Sequence, residues 1–137
     1  DDGLPIEREE VLPWIEKTQQ NYATYGYGMS AIEWMQTGEV IGFIGLVHPG
    51  GQSQAEVKYS LLRKWWGRGI ATEAVRGMIG YGDCEHQLRE IIATLSPENA
   101  ASQRVLEKSG LSIQEDRPDD DDTTTRVMVW RPLSSET

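Results

Sequence analysis

The sequence is poor in cysteine and in long apolar runs. Cys84 is the only cysteine, so an intrachain disulfide and a four-cysteine zinc site are both excluded. No stretch approaches the roughly 20 apolar residues that a membrane-spanning helix needs. The first residues, Asp1-Asp2-Gly3, lack the basic and apolar pattern of a signal peptide. These absences predict a soluble cytoplasmic protein that does not bind membranes.

Histidine is scarce as well, with His48 and His86 as the only two in the chain. His86 and Cys84 together supply at most half of a metal site, and His48 stands alone. The sequence therefore predicts no metal, and it predicts solvated surface positions for all three side chains.

Basic residues are also in the minority, since 13 Lys and Arg stand against 22 Asp and Glu and give a net charge of -9. A general nucleic-acid-binding protein is excluded because it needs a basic face that displaces counterions from phosphates. An acidic surface favours cationic partners instead. Against this background, Arg63, Lys64 and Arg68 lie close together. They indicate one specific anionic ligand, although charge alone is equally compatible with ordinary surface residues.

The apolar periodicity predicts alternating strands and helices in a single domain covering residues 1–137. Strands are predicted at residues 28–35, 40–47, 55–62, 90–95, 111–115 and 124–130. Helices are predicted at residues 6–20, with a break at Pro13, from residue 70 to the glycines at 80 and 82, and from residue 96 to Lys108 and Gly110.

Two short segments have their own interpretation. Ser96-Pro97-Glu98 is a typical helix start, with Ser96 as the capping residue. The run from Asp119 to Thr125 lacks the spaced ligands and the turn glycine of a calcium-binding EF-hand loop. We therefore interpret it as a solvated hairpin loop.

The strand at residues 55–62 leads into the most informative loop of the chain. Apolar and polar side chains alternate from Val57 to Leu61, which is the pattern of a half-buried strand. The following segment, Arg63-Lys64-Trp65-Trp66-Gly67-Arg68-Gly69, precedes a helix. Such a junction directs backbone N–H groups and the positive end of the helix dipole to one point, which favours a phosphate. Gly67 and Gly69 allow close backbone approach and positive φ angles.

Three other interpretations of this loop compete with that one. The Walker A spacing of glycine, four residues and Gly-Lys-Ser/Thr is absent. A Rossmann loop needs a third glycine where Thr72 stands, and an acid at the end of the next strand, where Leu95 and Ser96 stand. The third alternative is a plain tight turn with no ligand.

Several motifs taken together resemble the GNAT acetyltransferases and, within them, the branch of ribosomal-protein N-terminal acetyltransferases. The similarity runs from about Trp14 to Trp130. In the family loop pattern Gln/Arg-x-x-Gly-x-Gly/Ala, Lys64 stands in the first position. The motifs are Gly26-Tyr27-Gly28, Ile41-Gly42-Phe43, Ala55-Glu56-Val57-Lys58-Tyr59-Ser60-Leu61, Trp66-Gly67-Arg68-Gly69-Ile70-Ala71-Thr72-Glu73-Ala74, Asn99-Ala100-Ala101-Ser102 and Glu107-Lys108-Ser109-Gly110.

The resemblance implies an α/β fold with a mixed, mostly antiparallel central sheet and helices on both faces. The strands at residues 55–62 and 90–95 would splay apart to admit the pantetheine arm of acetyl-CoA, which acts as co-substrate without a metal. The residues expected to bind acetyl-CoA are Leu61, Leu62, Arg63, Lys64, Gly67, Arg68, Gly69, Ile70, Ala71, Thr72, Asn99 and Ser102. A strand and a helix that normally precede this region in the family are missing from the sequence.

The resemblance also implies catalytic roles. Glu56 is the expected base, acting directly or through water, and its alternative is a surface strand acid. A backbone N–H near Leu62 is expected to stabilise the oxyanion. Leu106 stands where many family members have a tyrosine that protonates the thiolate, so Ser102 is the expected substitute, with Tyr59 as the fallback.

The sequence therefore predicts an acetyl-CoA-dependent N-acetyltransferase that acts on a primary amine, either a protein N-terminus or a small cationic amine. An aminoglycoside-type acetyltransferase is a neighbouring alternative. A catalytically silent CoA-binding or interaction module is another, and so is a structural domain without a ligand. The oligomeric state is open, and a homodimer is among the options.

Overall fold

The computed structural model describes residues 24–132, so the helix predicted at residues 6–20 lies outside the described residues. Strands β1 to β6 span Met29–Glu33, Val40–Val47, Ala55–Leu61, Ile91–Leu95, Ser112–Pro118 and Thr124–Trp130. Helices α1 and α2 span Ile70–His86 and Ala100–Lys108. The short 3-10 turns Pro49–Gly51 and Arg63–Trp65 follow β2 and β3. The predicted order of strands and helices is confirmed.

The strands form one six-stranded sheet in the order β1-β2-β3-β4-β6-β5. All neighbouring strands are antiparallel except β3 and β4, which are parallel. The predicted mixed, mostly antiparallel sheet is therefore confirmed. The register between β3 and β4 contains only two partner pairs, Ala55 with Ile91 and Glu56 with Ile92. Beyond Glu56 the two strands diverge and leave an opening in the sheet, as the resemblance implied.

Both described helices pack on the same face of the sheet. One hydrophobic cluster joins helix residues to strand residues, among them Val75, Ile79, Leu106, Leu46, Val57, Ile91 and Met128. The opposite face carries a smaller cluster of Ile92, Val127 and Val129. The prediction of helices on both faces is therefore met on one face by residues 24–132, and this part of the chain holds no helix on the other face.

Helix α1 is longer than predicted, because it continues through the glycines at 80 and 82 to His86. The next residue, Gln87, is the C-terminal cap of the helix and has a left-handed φ of +53°. The glycines do not stop the helix because tertiary packing outweighs their weak helix propensity. A Cβ at Gly82 would lie 3.0 Å from Leu46 Cδ1 and 3.2 Å from Ile91 Cδ1. Gly82 thus lets α1 approach the sheet closely.

Two glycines of α1 should respond in opposite directions to the same substitution. Gly77 is exposed and a Cβ there meets nothing within 4 Å, so Gly77→Ala should raise the free energy of unfolding by about 0.5–1 kcal/mol. Gly82→Ala should lower it by about 1 kcal/mol, because buried Leu46 and Ile91 must move. Urea unfolding of both variants checks the signs, and equal stabilisation by both would contradict the close packing at Gly82.

Helix α2 begins later than predicted, at Ala100. Its capping residue is Asn99, whose side chain accepts a hydrogen bond from the Ser102 amide at 3.1 Å. Ser96 instead accepts from the Glu98 amide at 3.3 Å and forms a local turn. The prediction of Ser96 as the cap is therefore wrong, because an asparagine closer to the helix occupies the capping position.

Strand β5 extends to Pro118, three residues beyond its predicted end at residue 115, and two other predicted features are observed. Helix α2 ends at Lys108, followed by Gly110 with a φ of +98°. The run at residues 119–125 connects β5 to β6 and is solvent-exposed or nearly so, with the Asp119 amide donating to the Thr123 carbonyl at 2.8 Å. Within residues 24–132 no helix is long and apolar enough to cross a membrane.

Candidate active site

The divergence of β3 and β4 opens a cleft of about 470 Å³. It lies between the beginning of α1 and one side of α2. Its walls contain most of the residues that the sequence singled out for acetyl-CoA. These are Leu61, Gly67, Gly69, Ile70, Ala71, Thr72, Asn99 and Ser102. The walls also contain Tyr59, Trp65, Trp66, Ala101, Arg104, Val105 and Lys108.

The loop before α1 has the backbone geometry of an anion-binding site. Gly67 and Gly69 have φ angles of +76° and +79°, and a Cβ on either would meet nothing within 4 Å. Gly69 precedes the first helical residue, and no side chain caps this end of α1. The Glu73 amide makes a helical bond to the Gly69 carbonyl at 3.1 Å. The amides before Glu73 in the first turn have no such intrahelical partner and lie at the positive end of the helix dipole.

Two tryptophans hold this loop against the sheet. Trp65 is buried against Ile41, Leu61 and Trp34. Trp66 donates its Nε1–H to the Leu61 carbonyl at 2.9 Å. Among the side chains described, Trp65 Nε1 is the buried polar atom that has no hydrogen-bond partner. An unpaired buried donor in a cleft wall is costly unless a ligand or water accepts from it.

The charged residues of the loop do not line the cleft, and their binding of acetyl-CoA stays a prediction. Arg63 lies 5.3 Å above the Trp66 ring and Arg68 lies 4.8 Å above the Trp65 ring. Lys64 forms an ion pair with Glu39 at 3.4 Å. Leu62, also predicted, is exposed and outside the cleft. Cation–π contacts and the Glu39 pair hold these cations along the outer side of the loop.

The cleft instead contains two cations that the sequence did not reveal. Arg104 and Lys108 lie one turn apart on α2, together with Ala101 and Val105. The signal was available as spacing, since residues three and four apart share a helix face. It could not be recognised from the sequence because several faces of a short helix are equally possible until the packing is known.

Ser102 and Tyr59 are brought together in the inner part of the cleft. Ser102 is 5% exposed, and its hydroxyl lies 2.7 Å from the Tyr59 hydroxyl. When one of the two hydroxyls donates to the other, the hydrogen of the accepting one can point to a third group. The structure thus joins the expected proton donor and its fallback into one hydrogen-bonded pair. Leu106 is buried and contributes to the core.

Glu56 is buried, at 3% exposure, so the surface-acid alternative is wrong. Thr94 on β4 donates to Glu56 Oε2 at 2.7 Å, and the Gln52 side chain donates to Oε1 at 3.2 Å. Lys58 Nζ lies 3.9 Å from Oε2. Ser60 on the same face is buried too. β3 is therefore covered on both faces and is not half-buried.

Glu56 and the Ser102–Tyr59 pair lie on opposite faces of β3, because successive side chains of a strand alternate. A void of about 20 Å³ between the diverging strands touches Glu56, Thr94, Tyr59 and Ser102. A polar void of this size can hold one water molecule. The void therefore lies between Glu56 on one face and the Ser102–Tyr59 pair on the other.

The backbone at the end of β3 shows which N–H near Leu62 is available as the expected oxyanion donor. The Leu62 amide donates to the Ile41 carbonyl at 2.8 Å, so it is already used. N–H directions alternate along a strand. Since Leu62 faces β2, the Leu61 amide faces the side of β4, where the strands have diverged. Of the amides near Leu62, the Leu61 N–H is therefore the one that faces the opening.

Residues 2–112 of the chain match the sequence profile of the acetyltransferase (GNAT) domain. The chain belongs to the GNAT acetyltransferase family. The resemblance to the GNAT family inferred from the motifs is thereby confirmed.

Curated relatives support the GNAT assignment. YkkB of Bacillus subtilis, an uncharacterized protein, is 35% identical over 107 residues, which is 77% of this chain and 62% of YkkB. YjcK of the same organism, named as a probable N-acetyltransferase, is 40% identical over 114 residues, or 80% of this chain and 61% of YjcK. The chain therefore spans about three-fifths of the length of these relatives.

Solved structures of GNAT acetyltransferases share the fold. An acetyltransferase from Agrobacterium tumefaciens superimposes with a TM-score of 0.80 at 25% identity, covering 94% of this chain and 75% of that one. A Vibrio cholerae protein put forward as a ribosomal-protein-serine acetyltransferase superimposes with a TM-score of 0.76 at 17% identity, covering 93% of this chain and 76% of that one.

The histidines belong to an aromatic cluster beside the GNAT sheet, so the prediction of solvated surface positions is wrong for both. His48 is half-buried, with the Tyr27 hydroxyl 2.6 Å from its Nε2. His86 contacts Tyr27 edge-on and lies 2.9 Å from the Tyr81 hydroxyl. Cys84 is exposed, as predicted. In the described part of the chain, no three His, Cys, Asp or Glu side chains are grouped as metal ligands.

Proposed function

We propose that this GNAT domain transfers an acetyl group from acetyl-CoA to a primary amine. The observation that carries the proposal is the cleft beside the diverging strands β3 and β4, which extends from an uncapped helix start to the Ser102–Tyr59 pair. The buried Glu56 carboxylate lies across a water-sized void from that pair. Membership of the GNAT family supports the same reaction class.

Acetyl-CoA would supply the activated acetyl thioester, and the chain fits it along the length of the cleft. The amides of residues 67–71 bind the pyrophosphate, as at other helix starts. Asn99 uses its Oδ1 to cap α2, so its amide nitrogen is the group that reaches the pantetheine arm. Arg104 and Lys108 provide positive charge in the cleft wall, in addition to the predicted loop cations Lys64 and Arg68.

Arg104→Ala should weaken acetyl-CoA binding about fivefold at low ionic strength, because one cation in the cleft wall is lost. The difference should shrink in high salt, which screens an exposed charge. Lys64→Ala is the matched control, since Lys64 pairs with Glu39 outside the cleft. Isothermal titration of both variants checks the prediction. An equal loss of affinity in both would contradict a specific role for Arg104 and indicate that the loop cation Lys64 also contributes to binding.

In this proposal the amine is deprotonated on one face of the sheet and the leaving sulfur is protonated on the other. The amine enters from the Glu56 face, and Glu56 removes its proton directly or through the water-sized void. The Leu61 amide hydrogen-bonds the carbonyl oxygen as it gains negative charge. A C–N bond forms and the C–S bond breaks, and the leaving sulfur takes a proton from the Ser102–Tyr59 pair. The amine attacks in its neutral form, after an ammonium group has lost one proton to solvent. One further proton passes from nitrogen to Glu56 and one from the Ser102–Tyr59 pair to sulfur, and exchange with solvent removes the proton from Glu56 and restores the one on the pair.

The acceptor we propose is a protein N-terminus or a small cationic amine. The net charge of -9 supports a basic acceptor because the surface attracts cations. The V. cholerae structure supports the protein N-terminus only at the level of fold. The sulfur-side donor supports an active enzyme over a silent module, because the Ser102–Tyr59 pair places hydroxyl protons in the cleft while Leu106 is buried in the core.

The proposal is tested by measuring CoA thiol release from acetyl-CoA with a panel of amines. The panel contains peptides with free N-termini, a polyamine and an aminoglycoside, and acetyl-CoA binding is measured in parallel by isothermal titration. Turnover with peptides or the polyamine supports the proposal, and turnover with the aminoglycoside alone would replace the acceptor class. Binding without any turnover would leave a silent CoA-binding module, and no binding would reject the function.

A further inference from the structure

His48 is held in a single tautomer by its two neighbours. Its Nδ1 lies 3.0 Å from the Gln52 backbone carbonyl, which can only accept, so Nδ1 carries the hydrogen. In the neutral ring Nε2 is then the acceptor, and the Tyr27 hydroxyl at 2.6 Å donates to it. Burial, with a smaller contribution from Tyr25, raises the pKa of the Tyr27 hydroxyl, which therefore remains a donor. The Tyr25 ring stacks on the imidazole at 3.8 Å between centroids.

The His48 imidazole forms a hydrogen bond across the glycine-containing turn that follows β2. The 3-10 turn Pro49–Gly51 contains Gly50 and Gly51 with φ angles of +63° and +76°. Glycine backbone is conformationally permissive, so the turn depends on bonds that pin it. The Gly51 amide bonds the His48 carbonyl at 2.9 Å, and the His48 ring bonds the Gln52 carbonyl. The Gln52 amide also donates to the Pro49 carbonyl at 3.2 Å, so the His48 ring adds a second bond, at the Gln52 carbonyl, to the backbone of this residue.

Gln52 connects the turn to Glu56 through its side chain. Its side-chain nitrogen donates to Glu56 Oε1 at 3.2 Å and to the Gln54 carbonyl at 3.1 Å. Thr94 holds the other carboxylate oxygen from β4. The carboxylate is thus oriented from two sides, one within the sheet and one from the turn after β2.

We infer that His48 is a positioning residue, which holds the turn at residues 48–52 so that Gln52 orients the Glu56 carboxylate toward the opening between β3 and β4. The inference rests on the proposed function of Glu56 as the base. His48 itself touches neither the cleft nor the void. Its effect is therefore on the rate of the chemical step and not on acetyl-CoA binding.

Two substitutions separate the two hydrogen bonds of His48. His48→Asn keeps an amide nitrogen near the position of Nδ1, whereas His48→Gln keeps an acceptor near Nε2 and loses the donor to the Gln52 carbonyl. His48→Gln should lower kcat about tenfold with an unchanged KM for acetyl-CoA, because the base is misplaced. His48→Asn should stay within about twofold of the parent. Equal losses in both variants, or a loss expressed only in KM, would overturn the inference.

A double-variant cycle distinguishes positioning from a general structural role. In a Glu56→Gln background, His48→Gln should change the residual kcat by less than about twofold, because its effect acts through Glu56. A full tenfold loss in that background would show that His48 acts elsewhere and would overturn the inference.

A third measurement does not depend on turnover. The Gln52 side-chain amide signals, identified in ¹⁵N-correlated NMR spectra by their loss in Gln52→Ala, should shift in His48→Gln and in Glu56→Gln but not in His48→Asn. Unchanged signals in His48→Gln would overturn the inference even if the protein acetylates amines. If no amine is acetylated, the proposed function fails, and these spectra still decide whether His48 holds Gln52.

Discussion

Glu56→Gln is expected to lower kcat for amine acetylation by about 100-fold or more, since general-base catalysis contributes on that order. The substitution removes the proton acceptor and keeps nearly the same shape. Thr94 can still donate to the new side chain, and the Gln52 amide can rotate to accept from it. Acetyl-CoA binding should be unchanged, because Glu56 lies on the face of β3 opposite the cleft-lining Tyr59 and Leu61.

The control for this experiment is Glu115→Gln, which removes an exposed strand carboxylate paired with Arg117. It should leave kcat unchanged. Thermal unfolding and acetyl-CoA titration of Glu56→Gln establish that the fold and the cleft persist. A kcat within about threefold of the parent in Glu56→Gln would show that Glu56 is not the base, because the loss of a general base lowers kcat much more than threefold.

Gly67→Val and Gly69→Val are each expected to weaken acetyl-CoA binding by at least about 100-fold, or roughly 2.7 kcal/mol. Both glycines have left-handed φ angles, and the space beyond them within the protein is empty. A valine side chain would enter the region where the phosphates must approach the backbone amides. It would also push the loop away from its positive φ, which a β-branched residue disfavours.

Gly38→Val is the control that measures the effect of backbone strain without any change in the cleft. Gly38 lies in the turn between β1 and β2 with a φ of +75°, and a Cβ there would also meet nothing within 4 Å, but Gly38 does not line the cleft. The three valine variants should lose similar stability in urea unfolding, and only those in the cleft should lose binding in isothermal titration. Retention of parental affinity in Gly67→Val would place the pyrophosphate elsewhere.

The sequence by itself determined the features that depend on neighbouring residues. Strands at Val40–Val47 and Thr124–Trp130 have the predicted bounds, because runs of β-branched and apolar residues end at turn residues. The loop from Arg63 to Gly69 was recognised because it combines glycines that permit positive φ with the start of a helix. The family followed from several such local motifs read together.

Only the tertiary structure decided what depends on contacts between distant residues. The burial of Glu56 depends on Thr94 and on the turn after β2, and α1 continues through Gly82 because of its packing on Leu46. The orientation of α2 brought Arg104 into the cleft, while cation–π contacts kept Arg68 outside it. Spacing and composition alone do not decide such contacts, because they depend on how the strands and helices pack against one another.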